Sequence, residues 1–112
     1  KDAEVEKNRP HVVSISPANG DNSVDPAIDT LVITFDRPMT HGRYSLCGDG
    51  DSFPQVVSPP RYNENRTVLT VGIRLAPDSA YQFSLNCQNA TGFRSEQGTP
   101  LKPLPVSFQT RK

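Results

Sequence analysis

The chain has no tryptophan, a single methionine and only two cysteines in 112 residues. Two cysteines are not a disulfide scaffold, so the fold has to rest on an apolar core. A chain of this size buries about 60–70% of the surface its unfolded form exposes, enough for such a core without staples or metal. An excess of one charge is missing as well, since 12 Lys and Arg balance 12 Asp and Glu. That balance gives no electrostatic footing for nucleic acid or an anionic membrane as partner. No apolar run approaches the roughly 18–20 residues needed to cross a bilayer, so no membrane insertion is expected. No signal peptide is recognisable. The charged ends at Lys1 and Lys112 read as those of a piece cut from something longer.

Chemical motifs are sparse too. There is no Gly-rich phosphate loop, no Cys-x-x-Cys pair and no Gly-x-Ser-x-Gly elbow. His11 and His41 stand 30 residues apart without an acid-histidine pattern, and a histidine at a strand start or in a turn is ordinarily structural or solvated. No catalytic residue and no cofactor is expected.

What the chain has is punctuation. Eleven prolines and seven glycines are spread along it, dividing it into short segments and leaving little room for helices. Residues 1–9 are charged and aperiodic and read as a linker or frayed start; 10–112 reads as one domain. Thr30-Leu31-Val32-Ile33-Thr34-Phe35 is the strongest strand, with Leu31, Ile33 and Phe35 on one face. In 11–16, Val13 and Ile15 are expected to share a face. Tyr44 and Leu46 point one way in the segment ending at Cys47, 53–57 is a short segment broken by Pro59-Pro60, and 67–71 is another strand. Tyr81, Phe83 and Leu85 alternate with Gln82 and Ser84, and Leu104, Val106 and Phe108 face inward in the last strand. Residues 88–100 form a long loop. About seven short strands with regular turns and no helix predict an antiparallel β-sandwich or barrel.

Leu75, Pro77 and Tyr81 decide between the two. Leucine, proline two on and tyrosine six on is the spacing of a tyrosine corner, in which the phenol folds back over a sheet-to-sheet crossing and bonds upstream backbone. The expected fold is therefore an Ig-like, fibronectin III-like sandwich.

A family is visible at this point. Ser16-Pro17-Ala18-Asn19-Gly20, Val24-Asp25-Pro26, Ile33-Thr34-Phe35-Asp36-Arg37-Pro38-Met39, the 75–81 corner and the closing Ser107-Phe108-Gln109-Thr110 resemble, in order and spacing, bacterial Ig-like domains of the S-layer-associated type. A subgroup is similar also through Ser52-Phe53-Pro54, Gly92-Phe93-Arg94-Ser95 and Gly98-Thr99-Pro100-Leu101. Tyr44 and Leu46 stand where that subgroup often has tryptophan, which counts against an aromatic binding patch there. The resemblance implies a non-catalytic accessory module of a larger secreted, periplasmic or cell-envelope protein, commonly one that carries a hydrolase domain; the expected role is a spacer or docking surface for a neighbouring domain, and the isolated domain is expected to be a monomer. The alternative class is a carbohydrate-binding module, with a polysaccharide rather than a protein as partner.

Three sets of residues remain candidates for contact or ligation. Asp49 and Asp51, with Ser52, and Asp21 and Asp25, with Asn22, could offer oxygens to Ca²⁺, although neither loop has the twelve-residue spacing and terminal Glu, and Gly, Asp and Asn also simply make turns. Phe93, beside Arg94, and Tyr62 are the loop aromatics and the candidate contact surface; Phe93 alternatively plugs the end of the sandwich. Asn65-Arg66-Thr67 and Asn89-Ala90-Thr91 match the glycosylation sequon by chance composition. Cys47 and Cys87, each placed at the finish of its own strand on antiparallel neighbours, are expected roughly 13–17 Å apart and unbonded.

Overall fold

The structure, a computed structural model, describes residues 6–48 and 50–112, the side chain of Asp51 excepted. Its strands are β1 (Val12–Ser16), β2 (Thr30–Phe35), β3 (Leu46–Cys47), β4 (Gln55–Tyr62), β5 (Val68–Arg74), β6 (Ala80–Leu85) and β7 (Leu104–Gln109). They form two antiparallel sheets, ordered β1-β2-β5-β4 and β3-β6-β7, the division of a seven-stranded Ig sandwich.

The core follows from alternation. Leu31, Ile33 and Phe35 of β2, Leu69, Val71 and Ile73 of β5, Tyr81, Phe83 and Leu85 of β6 and Val106 and Phe108 of β7 are all buried between the sheets. Each strand has one dry face because its side chains alternate across the pleat. After β1 the chain passes a cis Ser16–Pro17 peptide and changes sheet. Residues 20–24 then run beside β7: Gly20 N–H donates to the Ser107 carbonyl at 2.7 Å, Gln109 N–H to Asp21 at 2.9 Å and Val24 N–H to Gln109 at 3.0 Å. The outer edge of β7 is thereby paired rather than left open.

The corner closes the opposite crossing. Tyr81 Oη accepts the Ala76 N–H at 2.8 Å, while Thr110 Oγ1 donates to the Ala76 carbonyl at 2.6 Å and accepts the Ser79 N–H at 2.9 Å. Asp78 takes a left-handed φ of 52°, which Asp tolerates in a turn. Leu75 is buried beneath.

Three details depart from the sequence expectation. In β1 a bulge between Val12 and Ser14 shifts the register, so Val12 and Ile15 pack on the core while Val13 is 65% exposed. A bulge adds one residue and breaks strict alternation. In β4 the strand continues through Pro59 and Pro60, with register shifts on either side of Ser58. Proline is compatible with an edge strand, where its missing N–H faces solvent.

The third departure is a correction. Cys47 and Cys87 are joined by a disulfide with Cα atoms 6.3 Å apart. The strands are antiparallel neighbours, but β3 is only two residues long and pairs with the finish of β6, Leu46 opposite Leu85 and Cys47 opposite Ser84. The ends of the two strands therefore coincide instead of lying at opposite ends of the sandwich. Asn86, at φ 63°, then turns the chain so that Cys87 comes back beside β3.

Two measurements check this fold. Tyr81→Phe leaves the Ala76 N–H without its acceptor and should cost about 1–3 kcal/mol in denaturant unfolding; an unchanged midpoint would remove the corner as a stabilising element. Unreduced, denatured protein should show no free thiol. Reduction of a bond that closes a loop with a separation of 40 residues should lower stability by about 3–4 kcal/mol, and two titratable thiols before reduction would refute the pairing.

Candidate functional site

The end of the sandwich where β2 and β6 finish holds Tyr62, Phe93, Arg94 and both cysteines. The polypeptide leaves β6 at Leu85 and must cross 86–103 before β7 begins, and its backbone groups need partners. Asn86 supplies them. It is fully buried, its amide nitrogen donates to the carbonyls of Phe93 and Leu101, both at 2.9 Å, and its amide oxygen accepts the Phe93 N–H at 2.9 Å. The sequence reading missed Asn86. Its signal is an asparagine, the residue that best tolerates left-handed backbone after glycine, directly after the last inward residue of an alternating strand.

Phe93 is held inside by this network. It is 0% exposed and its ring centroid lies 5.7 Å from that of Phe35. It has no surface to offer a partner, so its place as a contact residue is corrected: it is the plug. Arg94 is half-buried, with Nε donating to the Thr91 carbonyl at 2.8 Å and Nη2 to Thr91 Oγ1 at 2.9 Å, and so is spent on its own loop. Tyr62 is half-buried against Phe35, at 6.5 Å between centroids, and its hydroxyl donates to the Arg43 carbonyl at 2.8 Å. Burial, with Tyr44 nearby adding to it, pushes the Tyr62 phenol above its ordinary range. What Tyr62 does is fix the segment that carries Tyr44.

The acidic loop at 21–25 is turn chemistry in the structure. Asp21 Oδ1 accepts the Ser23 N–H and Asp25 Oδ1 the Ala27 N–H, each at 2.9 Å, the two-residue Asx pattern. Asp25 also pairs with Arg111 at 3.2 Å. Asp49 and the side chain of Asp51 lie outside the described residues. Among the described residues no three His, Cys, Asp or Glu side chains converge on a point that could hold a metal.

One further polar cluster ties down the entering chain. Asp36 accepts the His11 N–H at 3.0 Å on Oδ1, sits 3.1 Å from His11 Nδ1 through Oδ2, and pairs with Arg37 Nε at 3.1 Å. Burial works to raise the Asp36 carboxyl, yet the Arg37 guanidinium and the His11 N–H and ring together hold it down at about 2, against an ordinary 3.8. A carboxyl depressed in the folded state stabilises the fold above its unfolded value, and that contribution disappears as pH falls through the folded one. Unfolding measured across about pH 4 to pH 2 should therefore show a steeper loss in the parent than in Asp36→Asn; identical acid limbs would remove Asp36 from the account. His41 stands exposed in a turn, apart from this cluster.

A family model described as a bacterial Ig-like domain matches residues 6–110. No curated protein matches the chain. Among solved structures, that of surface layer protein SbsC, domains 1–6, is similar with a TM-score of 0.55 at 17% identity, over 93% of this chain. This chain spans 14% of the length of that one. At that identity the likeness concerns the fold.

Proposed function

The chain belongs to the family of bacterial Ig-like domains, and from that premise we propose that it is a non-catalytic spacer module of a larger secreted or cell-envelope protein, holding neighbouring domains apart at a set angle. The observation that carries this reading is where the chain enters and leaves the sandwich. Val12 lies opposite Phe35, where β2 finishes. Gln109 lies opposite Ala80, just after the corner that follows β5, and Gly72 of β5 lies opposite Thr30, where β2 begins. Entry and exit are therefore at opposite poles of a body measuring 48 × 27 × 21 Å.

Both poles are also fastened. At entry, the Asp36 N–H donates to the His11 carbonyl at 2.9 Å and Arg37 donates to the Lys7 carbonyl. At exit, Arg111 N–H donates to Val24 at 2.9 Å and the Arg111 carbonyl accepts the Asp78 N–H at 3.0 Å. A rod whose ends are pinned transmits separation and orientation, which a flexible linker does not. The family is in general non-catalytic.

A direct test places a donor and an acceptor fluorescent protein on the two termini. Energy transfer should be low, as for reporters kept at least the module's length apart, and should rise when a circular permutant brings both termini to one pole. High transfer in the parent arrangement would defeat the spacer reading.

A further inference from the structure

Tyr44 is 41% exposed and, among the described residues, is the only aromatic side chain in the exposed class. It stands as a ridge between two shallow depressions. One is bounded by Pro60, Arg61 and the turn that joins β4 to β5, the other by Arg43 and the Asn89–Gly92 turn. The chain as a whole is neutral, but the lining of this surface carries Arg43, Arg61 and Arg66 against the single carboxylate of Glu64. Arg66 is paired with Glu96 at 3.3 Å. Arg43 and Arg61 are exposed, and neither has a charged partner among the described residues.

The ridge is held rigidly. The Tyr62 hydroxyl bonds the Arg43 carbonyl at 2.8 Å, Gly92 N–H bonds Ser45 Oγ at 2.7 Å, and Asn86 N–H bonds the Ser45 carbonyl at 2.9 Å. A Cβ at position 92 would stand 2.6 Å from the Tyr44 carbonyl oxygen, so glycine is what allows this approach. The disulfide to Cys87 locks the far wall to β3.

The geometry points to a binding surface for an acidic polysaccharide, a carboxylate-bearing glycan laid across both depressions. Tyr44 offers an aromatic face to the C–H face of one sugar ring. Arg43 and Arg61 present guanidinium forks that fit carboxylates bidentately. The shallow form favours a glycan over a peptide, because a peptide draws its affinity from anchor side chains seated in desolvated pockets. This surface is independent of the spacer role: it lies on the flank of the entry pole and needs no neighbouring domain.

The test uses backbone amide shifts of the whole chain titrated with a galacturonate oligomer, a neutral dextran oligomer and oligoglutamate. The galacturonate oligomer should bind, shift residues around 42–46, 60–64 and 89–92, and weaken as salt rises. Tyr44→Ala should weaken it by about tenfold or more, and the Arg43→Ala/Arg61→Ala pair should abolish it, with amide spectra otherwise intact. Arg74→Ala, on β5 at the other pole, should bind like the parent. Equal binding of dextran would show that the arginines are idle, and equal binding of oligoglutamate would make the occupant a protein. Either result overturns the proposal, as does absence of binding to all three.

Discussion

A single buried carboxamide organises the end of this sandwich. Where β6 stops, the chain has to cross to β7 through a long irregular segment, and irregular backbone cannot be buried unless its N–H and C=O groups find partners. Asn86 meets that need with one side chain that acts as a short piece of strand. It donates to two carbonyls and accepts one N–H, all at 2.9 Å. Its left-handed backbone sets the departure angle, and the bonds it makes draw Phe93 down onto Phe35. With Phe93 inside, Leu101 N–H can reach the Phe93 carbonyl at 2.8 Å, and the loop closes on itself. Removing the carboxamide would leave the Leu101 carbonyl and the Phe93 N–H unpaired at once, each costing about 1–3 kcal/mol, so the plug and the turn behind it stand or fall together.

How much of this was legible in the sequence depended on whether one residue type had one physical reason to be where it is. The central strands were legible because a half-buried strand must alternate, and 30–35, 80–85 and 104–109 do. The corner was legible because leucine, proline and tyrosine at fixed spacing each answer a separate geometric need. The edge strands were not. A bulge in β1 leaves composition unchanged while exchanging Val13 for Val12 at the core, and β4 accepts two prolines only because it has no outer neighbour to bond. Nothing in the local sequence states that a strand is at an edge.

The cysteine pairing was illegible for a related reason. Strand neighbours follow from fold class, but register and strand length do not. Treating the segment before Cys47 as a full strand put its finish far from Cys87; with β3 reduced to two residues the same topology puts the two side by side. Asn86, at its left-handed φ, also breaks the alternation just before Cys87, so strand phase does not say where that side chain points. On the surface the outcome is similar. Phe93 and Arg94 stood out by composition, yet both are consumed inside their loop, whereas Tyr44 was discounted because it stands where the resembling subgroup often has tryptophan.

The two poles differ in how they are built, and the difference bears on use. The exit pole is held by the tyrosine corner with Thr110 and by the backbone pairing of 21–24 and Asp78 with Gln109 and Arg111. At the entry pole, the disulfide, the Asn86 carboxamide, the Tyr62 hydroxyl and the close approach of Gly92 all converge on residues 43–47 or on the loop beside them. Their combined effect is to fix the backbone beneath Arg43 and Tyr44, both of them exposed side chains. Restraint of this kind lowers the ordering cost that a surface incurs when something binds to it. A spacer alone requires pinned ends and a dry core, and both are present without Arg43, Tyr44 or Arg61.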